Sequence, residues 1–288
     1  MPIKISNPGE RHPIERSDLI LNRFRNSSLA KRLKETSDQN EGSAVEFTVH
    51  APDLTHLSQL EAGDGLGCAV TGYRMLLGAL GEPIPGQDEA RKALDAKGHI
   101  PGGGTRMAVV STPAAKALGI ENAINLKELK LNPNILPQDE RNALSHVDWL
   151  ELLSIALEKG YIAMAALPMK VFHKDSTSDI NHAAVIYGAK YNNGKITFLI
   201  HDPLYIENKE IDDEMLATNA PDDPTIILTS NKHIQKSRKT RILTNTAVDQ
   251  EKSSDAPEKE TIIISKPQQP QIGDNDILRN IRNWLKGK

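Results

Sequence analysis

The only cysteine of this 288-residue sequence carries its most distinctive chemistry. Cys68 follows the loop Gly65-Leu66-Gly67 and stands near the start of a predicted apolar helix, LGCAVTGYRMLLGAL. The unpaired N–H groups and the positive dipole end of a helix N-terminus stabilise a thiolate, and glycine allows close approach to the backbone. These features indicate a nucleophilic thiol. The segment alone is equally compatible with a small buried core cysteine.

A nucleophilic cysteine needs a base and usually a group that orients that base. His182 opens the apolar segment HAAVIYGAKY after a polar stretch, and Asp202 follows the strand candidate KITFLI just before Pro203. We select His182 and Asp202 as the candidates for these roles. Each also has an ordinary alternative, a histidine at a strand edge and an Asp-Pro turn.

The turn between these two strands decides whether His182 and Asp202 share a face of the sheet. Asn192-Asn193-Gly194 predicts a β-hairpin. With a two-residue loop, Asp202 would pair with Val185, on the opposite face from His182. With a three-residue loop, Asp202 would pair with Ala184, which shares a face with His182. A site that uses both residues therefore requires the three-residue loop or a compensating bulge elsewhere.

The surrounding elements predict an α+β fold. The helix candidates are 66–80, 87–97 and a third that starts at a capping box of Ser145 and Asp148 and ends at Gly160. The strand candidates follow at 161–167, 182–191, 195–200 and 225–230. Helices followed by an antiparallel sheet, rather than repeated βαβ units, are typical of this class.

Composition divides the chain into four parts. We predict a polar N-terminal extension at 1–46, partly ordered by docking on the main domain, and a main domain at 47–231. The extension contains a short apolar patch at 19–24, a basic helix candidate at 28–34 and a linker-like tract at 35–43. A linker-like tail at 232–273 contains one strand-like island at 261–264, and a short amphipathic basic helix occupies 274–288. That helix is predicted to dock on a partner protein, on a membrane surface, or back on its own domain.

Charge and composition exclude several classes of function. A net charge of −3 and 4% aromatic residues argue against nucleic acid as a partner. A single cysteine excludes an internal disulfide and any multi-cysteine metal site, and no other spacing predicts a metal or cofactor. We see neither a transmembrane segment nor a classical signal peptide, which predicts a cytoplasmic protein or one secreted by a non-classical, effector-type route.

The order of these residues resembles the papain-like cysteine peptidases, and among them the bacterial double-glycine (bacteriocin-processing type) branch. The resemblance rests on GDGLGCAVTGYRMLLGALG and NHAAVIYGAKYNNGKITFLIHDP and covers residues 59–205. It implies a papain-like fold, in which a helical part carries the cysteine and an antiparallel sheet carries the histidine and the aspartate. It also implies that Cys68 is the nucleophile, His182 the general base and acid, and Asp202 the residue that orients the imidazole.

The sequence departs from the family pattern around the cysteine. The family places an oxyanion-hole glutamine about six residues before the cysteine, where this chain has Ala62. Gln59 and Asp64 are the side-chain candidates for this role, together with the backbone N–H of Cys68. The family also follows its cysteine with Gly-Pro, where this chain has Ala69 and Val70.

The resemblance predicts a thiol protease-like hydrolase that acts on an amide bond of a protein or peptide through a Cys-His-Asp triad, in keeping with a bacterial secreted effector. A deamidase or a transglutaminase would use the same triad on the same kind of carbonyl. The alternative from another class is a catalytically inert papain-like binding or scaffold protein, which the missing glutamine favours.

Overall fold

The computed structural model describes residues 13–49, 54–98, 104–105, 123–131, 136–145, 147–178, 180–204, 209–221, 224–229, 239–243, 261–263 and 276–286. In these ranges helices pack against an antiparallel sheet, which confirms the predicted α+β class. None of the helices in these ranges has both the length and the apolar character needed to cross a membrane.

Most of the helices precede the main strands in the chain, as the sequence predicted. They are α1 (Pro13–Arg25), α2 (Ser28–Gln39), α3 (Cys68–Leu80), α4 (Gln87–Gly98), α5 (Leu126–Leu131), α6 (Gln138–Ser145), α7 (Trp149–Glu158), α8 (Met169–Phe172), α9 (Asp213–Asn219) and α10 (Asp276–Lys286). The apolar α3 ends at Gly81, whose left-handed φ of 77° is the usual glycine stop of a helix.

The strands of the described residues form one antiparallel sheet. They are β1 (Ala44–Thr48), β2 (Ala123–Asn125), β3 (Ile162–Pro168), β4 (Asn181–Asn192), β5 (Lys195–His201), β6 (Lys209–Asp212), β7 (Thr225–Thr229), β8 (Lys239–Leu243) and β9 (Thr261–Ile263). Their order is β2-β7-β3-β4-β1-β8-β9, while β5 pairs with β4 and with β6.

Strand β4 organises the sheet because it pairs with three other strands. One edge of β4 pairs first with β3, from Asn181 to Ile186, and then with β1, from Gly188 to Tyr191. The other edge pairs with β5. A Cβ atom at Gly188 would lie 2.4 Å from the Phe47 carbonyl oxygen, so only glycine permits β1 to approach this closely.

The N-terminal helices are part of the core, in contrast to the predicted polar extension. Phe24 of α1 and Leu29 and Leu33 of α2 are buried in the same apolar cluster as the sheet. The Phe24 ring lies 5.2 Å from the Phe198 ring of β5. The linker-like tract at 35–43 continues α2 as far as Gln39, and its buried Ser37 hydroxyl donates a hydrogen bond to the Ser43 carbonyl at 2.7 Å.

The predicted capping box at the start of α7 does not form. Asp148 is the N-cap residue of α7, but its carboxylate accepts a hydrogen bond at 2.9 Å from the Arg23 guanidinium of α1. Ser145 belongs to the last turn of α6, where its hydroxyl donates to the Asn142 carbonyl. The tertiary ion pair has replaced the local cap.

The C-terminal region contributes two strands and a helix. Strand β8 pairs with β1, although its composition predicted a linker, and β9 falls on the predicted strand-like island. Helix α10 packs against α6, with Ile281 buried in the core and the Arg282 guanidinium 2.8 Å from the Glu140 carboxylate. Of the docking modes predicted for this helix, the structure has the one on its own domain.

Candidate active site

Cys68 is the first residue of α3 and is partly exposed. Gly67 is the N-cap residue, and its carbonyl accepts the first hydrogen bond of the helix from the Thr71 N–H at 2.7 Å. The N–H groups of the first helical turn have no carbonyl partners within the helix. The structure therefore places the thiol at a helix N-terminus, where the sequence predicted it.

A polar network fixes the loop that precedes Cys68. The Asp64 carboxylate accepts hydrogen bonds from the Gln87 amide at 2.9 Å and from the Arg91 guanidinium, both on α4. The amide oxygen of Gln87 accepts in turn from the Thr71 hydroxyl and the Arg74 guanidinium of α3. Any Cβ at Gly67 would lie 2.2 Å from the Asp64 carboxylate, so the loop closes only around glycine.

The Asp64 side chain does not have the chemistry of an oxyanion-hole donor. Burial would raise the pKa of its carboxyl, but the hydrogen bonds from Arg91 and Gln87 hold that pKa below its usual value. The group is consequently ionised at neutral pH and has only acceptor oxygens. Its place in the structure is to join the Cys68 loop to α4.

Gln59 links the loop before Cys68 to the segment after Asp202. Its backbone N–H donates to the Pro203 carbonyl at 2.8 Å, and its buried side-chain amide donates to the Gly65 carbonyl at 2.9 Å. The turns between residues 59 and 67 thus bring this glutamine back to the loop that precedes Cys68.

A β-bulge places Asp202 beside His182. Asn192 pairs with Lys195, so Asn193 and Gly194 form a two-residue turn with positive φ angles of 49° and 81°. Without a bulge, this turn would have put Asp202 on the wrong face. Ile186 pairs with Ile200 and Gly188 with Leu199, which leaves Tyr187 as an extra residue in β4.

The bulge at Tyr187 shifts the register by one residue, so that Val185 pairs with His201 and Ala184 stands next opposite Asp202. Asp202 and His182 therefore share a face, and His182 Nε2 lies 2.6 Å from Asp202 Oδ1. Of the two alternatives that the sequence allowed, a three-residue loop or a compensating bulge, the structure has the bulge. Both side chains are buried, Asp202 completely.

The Cys68 thiol completes a line of contacts with His182 and Asp202. Because Nε2 of His182 contacts Asp202, Nδ1 is the ring nitrogen left for the hydrogen bond with Cys68. Burial would raise the pKa of the Cys68 thiol, but the bond to His182, its charge and the N–H groups of Ala183 and Ala69 lower it. These contacts favour the thiolate.

The pKa of the His182 imidazole is shifted in the opposite direction from that of the Cys68 thiol. Burial would lower the pKa of His182, but the hydrogen bonds to Asp202 and Cys68 and their negative charges raise it to about 9. Burial would likewise raise the pKa of Asp202, but His182 and the Leu204 N–H, which donates to Oδ1 at 2.9 Å, lower it. At neutral pH His182 is therefore an imidazolium and Asp202 a carboxylate, and both the imidazolium and the helix N–H groups shift Cys68 toward the thiolate.

Phe172, the last residue of α8, and His173, which caps the end of that helix, are two further residues near the site that the sequence analysis did not assign to it. The Phe172 ring packs against the His182 ring at 5.2 Å in a T-shaped arrangement. His173 Nε2 lies 3.2 Å from Asp202 Oδ2, and His173 Nδ1 lies 3.1 Å from Lys209 Nζ. Phe172 and His173 lie in the connection between β3 and β4. The pairing of Leu167 with His182 brings this connection back to the site.

The described residues contain no group of three or more His, Cys, Asp or Glu side chains arranged to hold a metal ion. A scan against protein-family models and a search of the curated proteins found no match to this chain.

Proposed function

We propose that this protein is a cysteine-dependent hydrolase that acts on an amide bond of a protein or peptide, with Cys68, His182 and Asp202 as its triad. The observation that carries the proposal is the His182–Asp202 contact of 2.6 Å, together with the hydrogen bond between His182 and a thiol at a helix N-terminus. A nucleophile, a base and an orienting group in mutual contact form the geometry of acyl transfer.

The reaction proceeds by thiol acyl transfer. The Cys68 thiolate attacks the amide carbonyl carbon, and the carbonyl oxygen takes up the negative charge. The His182 imidazolium gives its proton to the leaving nitrogen as the C–N bond breaks, which leaves a thioester and a free amine. Water then attacks the thioester, with His182 as the base that accepts its proton; the C–S bond breaks, which releases the carboxylic acid and regenerates the Cys68 thiolate and the His182 imidazolium. Asp202 holds the ring in one tautomer throughout.

Two groups near the nucleophile suit the developing oxyanion. The backbone N–H of Cys68 belongs to the first turn of α3, so it is aligned with the positive end of the helix dipole. The Gln59 amide has two N–H hydrogens, of which one is used by the Gly65 carbonyl. We assign the second to the oxyanion, so that Gln59 takes the place of the family glutamine.

The order of the elements supports a papain-like arrangement. The cysteine stands on an early helix, the histidine near the start of a strand, and the aspartate directly after the next strand, at the same edge of the site. Deamidation and transamidation start from the same thioester, and they differ from proteolysis in the bond that is broken or in the nucleophile that resolves it.

The alkylation of Cys68 by iodoacetamide across pH tests the proposal. Because the chain has one cysteine, a bulk measurement reports this thiol alone. We expect rapid alkylation well below the ordinary thiol pKa of about 8.5, because the pKa of Cys68 is lowered. His182→Ala should restore ordinary thiol titration, and the guanidinium-unfolded protein provides the reference. A folded wild type that titrates like the unfolded chain would favour the scaffold alternative.

Product analysis then separates the hydrolytic activities. Wild type and Cys68→Ala are incubated with a cell lysate, and the proteins are compared by mass spectrometry. New chain ends indicate proteolysis, a glutamine converted to glutamate indicates deamidation, and cross-linked peptides indicate transamidation. For proteolysis the rate should fall above about pH 9, because the His182 imidazolium that protonates the leaving amine has its pKa at about 9. Alkylation should not fall there, since it needs only the thiolate.

A further inference from the structure

Asp202 is a completely buried carboxylate with an imidazole beside each of its two oxygens. Oδ1 accepts from His182 Nε2 and from the Leu204 N–H. Oδ2 lies 3.2 Å from Nε2 of His173, whose side chain is 16% exposed; this is an ion-pair distance, and in this geometry Oδ2 accepts no hydrogen bond. A buried carboxylate needs donors on both oxygens to offset the loss of water. The second histidine is therefore placed to contribute to the charge state of the first.

Lys209 determines which nitrogen of His173 carries the proton. The Lys209 ammonium lies 3.1 Å from His173 Nδ1 and also donates to the Phe172 carbonyl. An ammonium has only hydrogens to donate, so Nδ1 must act as the acceptor. The ring is then neutral, with its hydrogen on Nε2, the atom that faces Asp202. Burial and the Lys209 charge lower the pKa of His173, which agrees with a neutral ring.

We propose that His173, held in its Nε2–H tautomer by Lys209, is a positioning residue that fixes the second oxygen of Asp202. The inference rests on the proposed function and adds two residues to its support. The line of contacts runs from the Lys209 ammonium through the neutral His173 ring to the Asp202 carboxylate. It continues through the His182 imidazolium to the Cys68 thiolate. Two positive and two negative charges balance, so the Asp202 carboxylate stays ionised and in place while the imidazolium faces Cys68.

The test compares His173→Leu with His173→Gln, because glutamine keeps an N–H donor and leucine has none. Two measurements are made, iodoacetamide alkylation of Cys68 at pH 6 and the downfield NMR resonance of the His182 Nε2–H proton. We expect His173→Leu to slow alkylation about tenfold, the usual order for a lost bond to a charged group, and to shift or broaden the resonance. We expect His173→Gln to restore most of both.

Wild-type alkylation and an unchanged His182 resonance in His173→Leu would overturn the inference. If His173→Leu does not fold, Lys209→Met decides, with Lys170→Met as its control, since Lys170 is exposed on α8. Lys209→Met should lower the population of the Nε2–H tautomer of His173, which the ¹⁵N chemical shifts of the ring report. If this population is the same in Lys209→Met as in Lys170→Met, the inference is also overturned.

The proposed function and this inference can fail separately. An ordinary thiol in the wild type would overturn the proposed function. The comparison of the His182 resonance between wild type and His173→Leu would still show whether His173 holds Asp202, because it depends on the carboxylate rather than on turnover.

Discussion

The two sides of the candidate site are built in different ways. On the sheet side, His182 and Asp202 are buried, hydrogen-bonded to each other and fixed by strand register. On the helix side, Cys68 is partly exposed and follows a glycine loop that α4 holds through side chains. The sheet side sets protonation states, since burial there strengthens each electrostatic contact. The helix side leaves the thiol accessible to a substrate.

The pKa values of His182 and Cys68 depend on a group that is buried away from the exposed surface, the Asp202 carboxylate. A carboxylate with 0% exposure is little screened by water, so its charge acts fully on His182. The thiol needs access to substrate and cannot be equally enclosed. Its charge state therefore depends on the imidazole, and changes on the sheet side should alter Cys68 chemistry more than changes in the loop beside it.

The largest predicted effect is that of Asp202→Asn on the sheet side. The neutral amide removes the charge that favours the imidazolium and allows the wrong ring tautomer. We expect turnover of a substrate identified in the lysate screen to fall by about 10²–10⁴, and alkylation of Cys68 at pH 6 to slow as well. Asp175→Asn is the matched control, because Asp175 is exposed. Unaltered alkylation in Asp202→Asn would mean that the carboxylate is structural.

Gln59→Leu should separate the two sides. It removes the proposed oxyanion donor and the bond to the Gly65 carbonyl, but it leaves the His182–Asp202 contact intact. We expect amide hydrolysis to fall by about 10²–10³, while alkylation of Cys68 stays near the wild-type rate because it develops no oxyanion. A parallel loss of hydrolysis and alkylation would instead show that Gln59 acts only by holding the loop.

Much of the site was predictable because its residues carry local signals. Cys68 followed from a glycine loop before an apolar helix, and His182 and Asp202 from their places at strand ends. The bulge at Tyr187 has no local signal in the sequence. It lies where β4 pairs with both β1 and β5. The sequence indicated a bulge only indirectly, because His182 and Asp202 could not otherwise share a face. His173 and Lys209 join the site through tertiary packing, which short-range spacing does not encode.

The fold was also predictable in part, and the prediction was incomplete for a related reason. The long apolar segments of α3, β3 and β4 were recognised, whereas α1 and α2 gave only a short apolar patch and a helix candidate within a predicted polar extension. In α2 a few apolar side chains on one face outweigh a polar composition, because the sheet provides a surface that covers them. Composition averages over both faces and so misses this kind of burial.

The smallest of these effects is predicted on the helix side, for Gly67→Ala compared with Gly65→Ala. A Cβ at position 67 would lie 2.2 Å from the Asp64 carboxylate, whereas one at position 65 meets nothing within 4 Å. Gly67→Ala should therefore displace Asp64 from Gln87 and move the start of α3.

We expect Gly67→Ala to reduce turnover by about tenfold to a hundredfold, as a displacement of a reacting group does, and to retain the downfield resonance of the His182 Nε2–H, which faces Asp202 rather than Cys68. Gly65→Ala, in the same loop, should behave like the wild type. Equal losses in the two variants would show that the loop as a whole, rather than its closure around Gly67, places the thiol. Loss of the Nε2–H resonance in Gly67→Ala would show that the two sides are not independent, because a shift of the helix would then also break the contact between His182 and Asp202.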